Sequence, residues 1–343
     1  MSSPMCEVCG RKNQVRRCTS CRAVYYCGKE CQIVDRRRHK KGCLAVKHAR
    51  DVFEREDQAM REPGGPGGPP DQIENAADTR PYISARFLFA DALLKNFGTI
   101  HPRDEAVGTA LNHLLDLLAF NRVDPLYLRH IIPALYVTLG MDQHAYDFVK
   151  WWATSYAEDP EIPWNDLNVP YLDTRDADIL EPLAEEWKLS EERAFDLSHP
   201  MIVMVLKIRA LLDLTAVRSA RRSLRGILPP EIIDMVQDHL ADGIVASRPE
   251  MLRWDTGKIT SHIDTLRRQI TQLFEDIHAE NPHLWAAMFR GFEKPKAALG
   301  ERPIGYSKDA GEEARYVVGY TLAAWIDDPG AVDLMYDVFR DRC

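Results

Sequence analysis

Seven of the eight cysteines of this 343-residue chain lie between positions 6 and 43. With one histidine they form four short-spaced pairs, in the order Cys-x2-Cys-x8-Cys-x2-Cys-x5-Cys-x3-Cys-x7-His-x3-Cys. The eight residues are Cys6, Cys9, Cys18, Cys21, Cys27, Cys31, His39 and Cys43. A segment this short cannot build an adequate hydrophobic core. We therefore expect bound metal to supply its folding free energy, on the order of 10 kcal/mol per site.

The ligand types and spacings predict two structural zinc sites. Zinc binds thiolate sulfur and imidazole nitrogen in tetrahedral geometry, and a Cys-x2-Cys turn presents two sulfurs to one ion. The pairs Cys27/Cys31 and His39/Cys43 are spaced i, i+4, so each lies on one face of a helical turn. Eight ligands fill two tetrahedral sites and leave no position for water or substrate. The spacing alone permits either interleaved or sequential pairing of the four pairs.

The segment Cys6–Cys43 resembles the MYND zinc finger in its ligand order and in the strings "YYC", "CQ" and "HKKGC". The resemblance implies interleaved pairing. One zinc would be held by Cys6, Cys9, Cys27 and Cys31, and the other by Cys18, Cys21, His39 and Cys43. It also implies a module that docks short, often proline-rich, peptides of partner proteins.

The helix that faces the peptide in this family departs from the usual pattern here. Many members carry a tryptophan a few residues after a glutamine, whereas this chain has Gln32 followed by Arg36. An aromatic platform for stacking against proline is therefore missing. We expect Gln32, Arg36 and Arg37 to contact the partner, and the charge of Arg36, Arg37 and Arg38 favours an acidic peptide.

Charge divides the chain unevenly. Residues 1–50 hold 13 Lys and Arg against 3 Asp and Glu, a net charge of +10, and the remainder has a net charge of −18. This division predicts a basic module attached to an acidic body. The basic run Arg36–Lys41 also suggests nucleic-acid binding, but a solvated helix face explains it more simply, so we expect no nucleic-acid partner.

The composition also bears on the compartment. No run of 18 uncharged apolar residues occurs, so no membrane span is expected. Only five residues precede Cys6, so we expect no signal peptide, and clustered metal-type thiols fit the cytoplasm or the nucleus.

We expect three regions: a finger at 1–50, a charged and then Gly/Pro-rich linker at 51–80, and an all-helical domain at 81–343. The string "PGGPGGPP" at 63–70 excludes regular structure in the linker. Apolar residues recur at intervals of three and four from Pro81 onward, which predicts helices, including one at 177–189. The body is expected to be a helical bundle or an α-solenoid, with a tetratricopeptide-like repeat as one form.

Two further segments, "LYVTLGMDQHAYDFVKWW" and "EEARYVVGYTLAAWIDDPGA", resemble fungal proteins that combine an N-terminal MYND finger with an uncharacterised helical body. That resemblance implies no activity. The oligomeric state and the identity of the partner do not follow from the sequence.

We therefore expect a zinc-binding adaptor for protein–protein contact, in transcriptional or developmental regulation, and not an enzyme. The main alternative is a lysine methyltransferase of the SET–MYND type. In those proteins the finger is inserted within the SET domain, and a cysteine cluster follows that domain. In this chain Cys343 is the only cysteine after the finger, and no β-rich segment with a cofactor-binding asparagine-histidine motif is visible in the sequence. A basic finger that binds nucleic acid is the second alternative.

Overall fold

The computed structural model describes residues 4–62, 76–98, 104–158, 166, 168–183, 197–224, 229, 231–232, 235, 243–246, 248–300, 303 and 307–342. The chain divides into two compact units, Met1–Leu128 and Arg129–Cys343. Within the described ranges the regular structure is one short hairpin followed by helices, which confirms the predicted mainly helical body. The Gly/Pro-rich string at 63–70 lies outside those ranges, so its assignment as a linker stays a prediction.

The first unit begins with strands β1 (Arg16–Arg17) and β2 (Tyr25–Tyr26), which pair antiparallel. Three helices follow: α1 (Lys29–Arg61), α2 (Ala76–Phe97) and α3 (Asp104–Phe120). Helix α2 packs against both α1 and α3. Within its described ranges the first unit is therefore a small hairpin joined to three α-helices.

Helix α1 is 33 residues long and continues through residues 51–61, the charged segment that we assigned to the linker. Ion pairs at i, i+4 spacing support this extension. Arg50 Nε lies 3.5 Å from a Glu54 carboxylate oxygen, and Arg61 Nε lies 3.0 Å from one of Asp57. Such pairs stabilise a solvent-facing helix by a few tenths of a kcal/mol each.

Three rings join the helices of the first unit. Phe53 of α1 stacks on Phe89 of α2 with ring centroids 5.8 Å apart, and the ring of His113 on α3 meets both edge-on at 5.0 and 5.1 Å. Burial, and then the nearby Arg86 guanidinium, lower the pKa of His113 to about 4. The neutral imidazole accepts a hydrogen bond from Arg86 Nε at 3.1 Å, which links α2 to α3.

Within the described ranges the regular structure of the second unit is helical. Its helices with described bounds are α4 (Ile132–Thr138), α5 (Asp142–Glu158), α6 (Ser198–Leu224), α7 (Gly243–Ala246), α8 (Pro249–Leu252), α9 (Thr256–Glu280), α10 (Leu284–Glu293), α11 (Pro295–Gly300), α12 (Gly311–Ile326) and α13 (Pro329–Phe339). Short 3-10 turns occur at Leu128–His130 and Arg340–Arg342.

Helix α6 is buried along most of its N-terminal half in the second unit. It contacts α4, α5, α7, α9, α12 and α13, and its side chains from Met201 to Leu206 have no measurable exposure. This environment explains the apolar run that the sequence shows in this stretch. None of the helices in the described part of the chain combines the length and apolar character that crossing a bilayer requires.

The prediction of a helix at 177–189 is wrong for residues 177–183, which form turns and irregular structure. Side chains of neighbouring helices bind the backbone of this stretch in place of helical hydrogen bonds. Asp147 on α5 accepts from the N–H of Asp176, just before this stretch, at 3.0 Å and from the N–H of Ala177 at 2.9 Å. Lys207 on α6 donates to two of its carbonyls at 2.9 and 3.0 Å. Residues 184–189 lie outside the described ranges.

Candidate metal centre

The first ligand cluster consists of Cys6, Cys9, Cys27 and Cys31, whose sulfur atoms all lie within 4.8 Å of one another. Two of the separations are 3.5 Å, from Cys9 to Cys27, and 3.6 Å, from Cys27 to Cys31. A tetrahedral zinc with Zn–S bonds of about 2.3 Å separates its sulfurs by about 3.8 Å. The cluster therefore has the dimensions that a zinc ion requires.

A tight turn presents the first two ligands. Cys6 N–H donates to the Arg11 carbonyl at 2.8 Å, and Gly10 N–H donates to the Cys6 carbonyl at 2.9 Å. Gly10 has a φ of 69°, a left-handed conformation that glycine adopts without a steric penalty. The other two ligands of this cluster stand at the start of α1, one just before the helix and one in its first turn.

The second cluster consists of Cys18, Cys21, His39 and Cys43. Sulfur atoms of Cys18 and Cys43 are 3.7 Å apart, and Cys21 Sγ lies 3.6 Å from His39 Nε2. The second Cys-x2-Cys turn contains Arg22 at a φ of 57°. His39 and Cys43 project from successive turns of α1, as their i, i+4 spacing predicts.

The ligands are therefore grouped in the interleaved order, and sequential pairing is excluded. Helix α1 contributes Cys31 to the first cluster and His39 and Cys43 to the second. Each cluster supplies four protein ligands. The first has four cysteines, and the second has three cysteines and one histidine. These are the sets that structural zinc sites use, and the two clusters fit two zinc ions.

Thiol ionisation within the clusters is uneven. Burial opposes ionisation of Cys6, but neighbouring backbone N–H groups donate to its sulfur and lower its pKa to about 6. Burial and two nearby cysteines raise the pKa of Cys21 to about 12. The hydrogen bond between Cys27 and Cys31, followed by burial, raises the pKa of Cys31 to about 12. Thiolates packed this closely need a divalent cation to offset their repulsion.

The two clusters differ in exposure. In the first, Cys9 is exposed and two other ligands are half-buried, whereas the three cysteines of the second cluster are all buried. The ring of His39 adds to this enclosure, because it lies 5.6 Å from Phe97 of α2 and 5.8 Å from Tyr26. Solvent therefore reaches the first cluster more readily than the second.

A buried carboxylate braces the finger beside the clusters. Asp35 is 6% exposed and accepts from the Tyr26 hydroxyl at 2.6 Å and from Arg38 Nε at 2.8 Å. Arg38 also donates to Glu7 at 2.8 Å, so α1 is tied to the first cysteine turn. This role of Asp35 was not predicted from the sequence. The available signal was that Asp35 is the one acidic residue between positions 31 and 50.

The three residues expected to contact a partner, Gln32, Arg36 and Arg37, are all exposed on α1. Arg38, their neighbour in the basic run, has its charge engaged by Asp35 and Glu7. Within the described part of the chain, the basic run therefore contains one arginine engaged in ion pairs beside arginines whose charge is open to a partner. The partner-binding role itself stays a prediction.

Two closed four-ligand clusters on a hairpin and one helix define a double-zinc finger. The family model of the MYND finger matches residues 6–43, so this segment is a MYND finger. MYND fingers are generally protein-interaction modules. Searches of curated proteins and of solved structures gave no match, so the likeness of the body to fungal proteins stays a prediction.

Proposed function

We propose that this chain is a zinc-dependent adaptor whose finger docks a partner protein. The observation that carries the proposal is that each cluster has four protein ligands. Zinc held in this way shapes the fold and leaves recognition to the side chains around it. The setting in transcriptional or developmental regulation rests on the MYND resemblance.

Gln32, Arg36 and Arg37 are the proposed contacts, because all three are exposed on the helix that also holds ligands of both zinc ions. Loss of zinc would therefore disturb the surface that presents them. The positive charge of Arg36 and Arg37 supports an anionic partner, and we propose that this partner is an acidic protein segment.

We also propose that the chain is not an enzyme. A zinc with four protein ligands has no coordination position for water or substrate, which supports this view. Incubation with labelled S-adenosylmethionine and bulk protein tests it, since transfer of label by the purified chain would contradict the proposal. We propose a location in the cytoplasm or the nucleus, which the need for reduced thiols supports, and imaging of the tagged chain would check it.

The adaptor proposal is tested by cross-linked capture from native lysate treated with nuclease. The intact chain is compared with the double variant His39→Ala, Cys43→Ala, which removes two ligands of the second cluster. A matched control, His283→Ala with Cys343→Ala, removes the same residue types outside the clusters. Proteins captured by the intact chain and the control, and lost from the ligand variant, are the expected result. Identical capture by all three would rule out docking through the finger.

A further inference from the structure

One face of α1 exposes both aliphatic and basic side chains. Ile33 and Leu44 are 58% and 53% exposed. Exposed Arg37, Lys40 and Lys47 lie on the same face. The five positions follow one another at intervals of four and three residues, which places them along one side of a helix. We call this set the α1 stripe.

The positive charge of the stripe is not neutralised within the described part of the chain. No ion pair reaches Arg37, Lys40 or Lys47 there. The one acidic residue of this stretch, Asp35, is buried and engaged by Tyr26 and Arg38. The stripe therefore offers three uncompensated cations beside two uncovered aliphatic side chains.

We propose that the α1 stripe binds an acidic protein segment that carries two aliphatic side chains. This inference rests on the proposed adaptor function and defines the partner's chemistry at the same finger. Ile33 and Leu44 are eleven residues apart, which is about 16 Å along a helix. The partner's two apolar side chains stand at the same spacing, and its carboxylates meet the three cations between and beside them.

The composition of the stripe argues against other anionic ligands. Nucleic acids bound through single strands stack their bases on aromatic side chains, and the stripe has none. Interfacial membrane helices separate a wide apolar face from a basic face, whereas here the two kinds of side chain alternate along one face. An acidic segment with two aliphatic side chains matches both the cations and the aliphatic side chains of the stripe.

Selection from a displayed library of random peptides about 16 residues long tests the proposal. The baits are the zinc-loaded full chain, Arg37→Glu, Leu44→Ala and the double variant His39→Ala, Cys43→Ala. Arg55→Glu is the matched control, because Arg55 is exposed on the same helix beyond the stripe. Zinc content is measured for each bait, so that a loss of binding is not a loss of metal.

We expect the intact chain to enrich peptides rich in Asp and Glu with spaced Leu, Ile or Val. Affinity for the best of these should fall about tenfold with Arg37→Glu, because attraction becomes repulsion, and severalfold with Leu44→Ala. Arg55→Glu should bind like the intact chain. The affinity should also weaken as salt rises above about 0.15 M.

Some peptides could bind Arg37→Glu with the affinity of the intact chain and fail to bind the double variant His39→Ala, Cys43→Ala. That result would overturn the proposal for the α1 stripe and leave the adaptor function standing. Failure of the intact chain to enrich any peptide, or equal enrichment by the ligand variant, would overturn both. Binding of a short DNA duplex or of phosphatidylserine vesicles more tightly than the best peptide, with loss in Arg37→Glu, would assign the stripe to that ligand instead.

Discussion

Asp35 shows how one carboxylate can organise a basic helix. It lies among six Arg and Lys residues between positions 29 and 41, yet it is buried, and it engages the Tyr26 hydroxyl and one guanidinium. The neighbouring arginines remain solvent-facing. This single residue therefore separates the structural charge of the finger from the charge available to a partner.

Replacing Asp35 by alanine should destabilise the finger by about 1–3 kcal/mol, because the buried Tyr26 hydroxyl loses its acceptor and Arg38 loses a partner. Thermal unfolding of the zinc-loaded chain, followed by circular dichroism, measures the effect. Glu30→Ala is the control, since Glu30 is an exposed acid on the same helix. Equal stability of the two variants would contradict the bracing role.

The difference in ligand exposure predicts stepwise loss of zinc. A Cys9→Ser variant should keep the enclosed second site, and a Cys21→Ser variant should keep the accessible first site. Zinc release to a chelator should be severalfold faster from Cys21→Ser, whose remaining zinc is in the first site, than from Cys9→Ser, whose remaining zinc is in the second. The reason is that Cys9 of the first site is exposed, whereas the cysteines of the second cluster are buried. A colorimetric zinc indicator follows both reactions. The reverse order of rates would show that exposure does not control the release.

At the scale of elements, the approach of α1 to α2 depends on a glycine beside a zinc ligand. A Cβ placed on Gly42 would stand 2.9 Å from Asn96 Oδ1 and 3.1 Å from Asn96 Cβ. Asn96 is also held in place, because its side-chain amide donates to the Ala92 carbonyl at 2.8 Å. Gly42 thus allows the two helices to meet next to Cys43.

Gly42→Ala should therefore lower the free energy of unfolding by about 1–2 kcal/mol, although alanine is the better helix former by about 1 kcal/mol. The double variant Gly42→Ala, Asn96→Ala removes the clashing amide and should recover stability. Denaturant unfolding of the single and double variants, with Asn96→Ala alone as the control, measures the coupling. A stabilised Gly42→Ala chain would mean that Asn96 moves aside at little cost.

The irregular stretch at 177–183 shows why helix prediction failed there. Its sequence carries no strong breaker before Pro182, so local pattern alone favoured a helix. The competing interactions come from residues distant in sequence, including Lys207, whose ammonium donates to Ile179, Glu181 and Gln269 oxygens. Tertiary hydrogen bonds of this kind override local propensity.

Lys207→Met should destabilise the chain by about 3 kcal/mol at neutral pH, because the Ile179 carbonyl and Gln269 Oε1 lose this donor and the Glu181 carbonyl keeps only its bond from Gln269. Burial lowers the pKa of Lys207 from 10.5 to about 8. Between these values the unfolded chain binds more protons than the folded chain, so this group adds stability as pH rises through the window.

Urea unfolding of the intact chain and of Lys207→Met across that pH window tests the pKa shift. The difference in free energy of unfolding between them should grow with rising pH. Lys296→Met changes an exposed lysine, so the difference in free energy of unfolding between this variant and the intact chain should not change with pH. A flat difference for Lys207→Met would mean that its pKa is ordinary.

At the scale of the molecule, each unit buries apolar residues of its own. Metal clusters and the Phe53–Phe89–His113 rings belong to the first unit, and α6 with its packed helices to the second. All seven tryptophans follow position 150, so tryptophan fluorescence reports on the second unit alone.

Removing zinc should therefore lower the helical circular dichroism signal and leave tryptophan fluorescence unchanged. The first unit loses the free energy that metal binding supplies, whereas the second unit contains no metal cluster among its described residues. Parallel recordings during titration with a chelator measure both signals, and re-addition of zinc should restore the first. A simultaneous change in both signals would show that the units unfold together.

The sequence predicted the ligands because their chemistry is local: pairs at x2 and x3 spacing need only a turn or a helical step. The interleaved grouping came from the MYND resemblance, since spacing allowed two solutions. The Phe97 cover and the contact of Gly42 with Asn96 could not be foreseen, because both depend on where α2 packs against α1. Neither charge nor periodicity encodes that placement at single-residue resolution. The role of Asp35 depends instead on Tyr26 and Arg38 within the finger, and its position as a lone acid in a basic stretch was the signal for it.

Helix α1 has a practical consequence for anyone who wishes to move this finger into another protein. A graft of residues 6–43 would cut the helix partway along its length and leave its last four carbonyls without helical partners. It would also discard Phe97, which lies against the His39 ligand. The compact unit that contains the finger is residues 1–128, more than three times the length that the ligand spacing marks out, so it is the better choice for a graft.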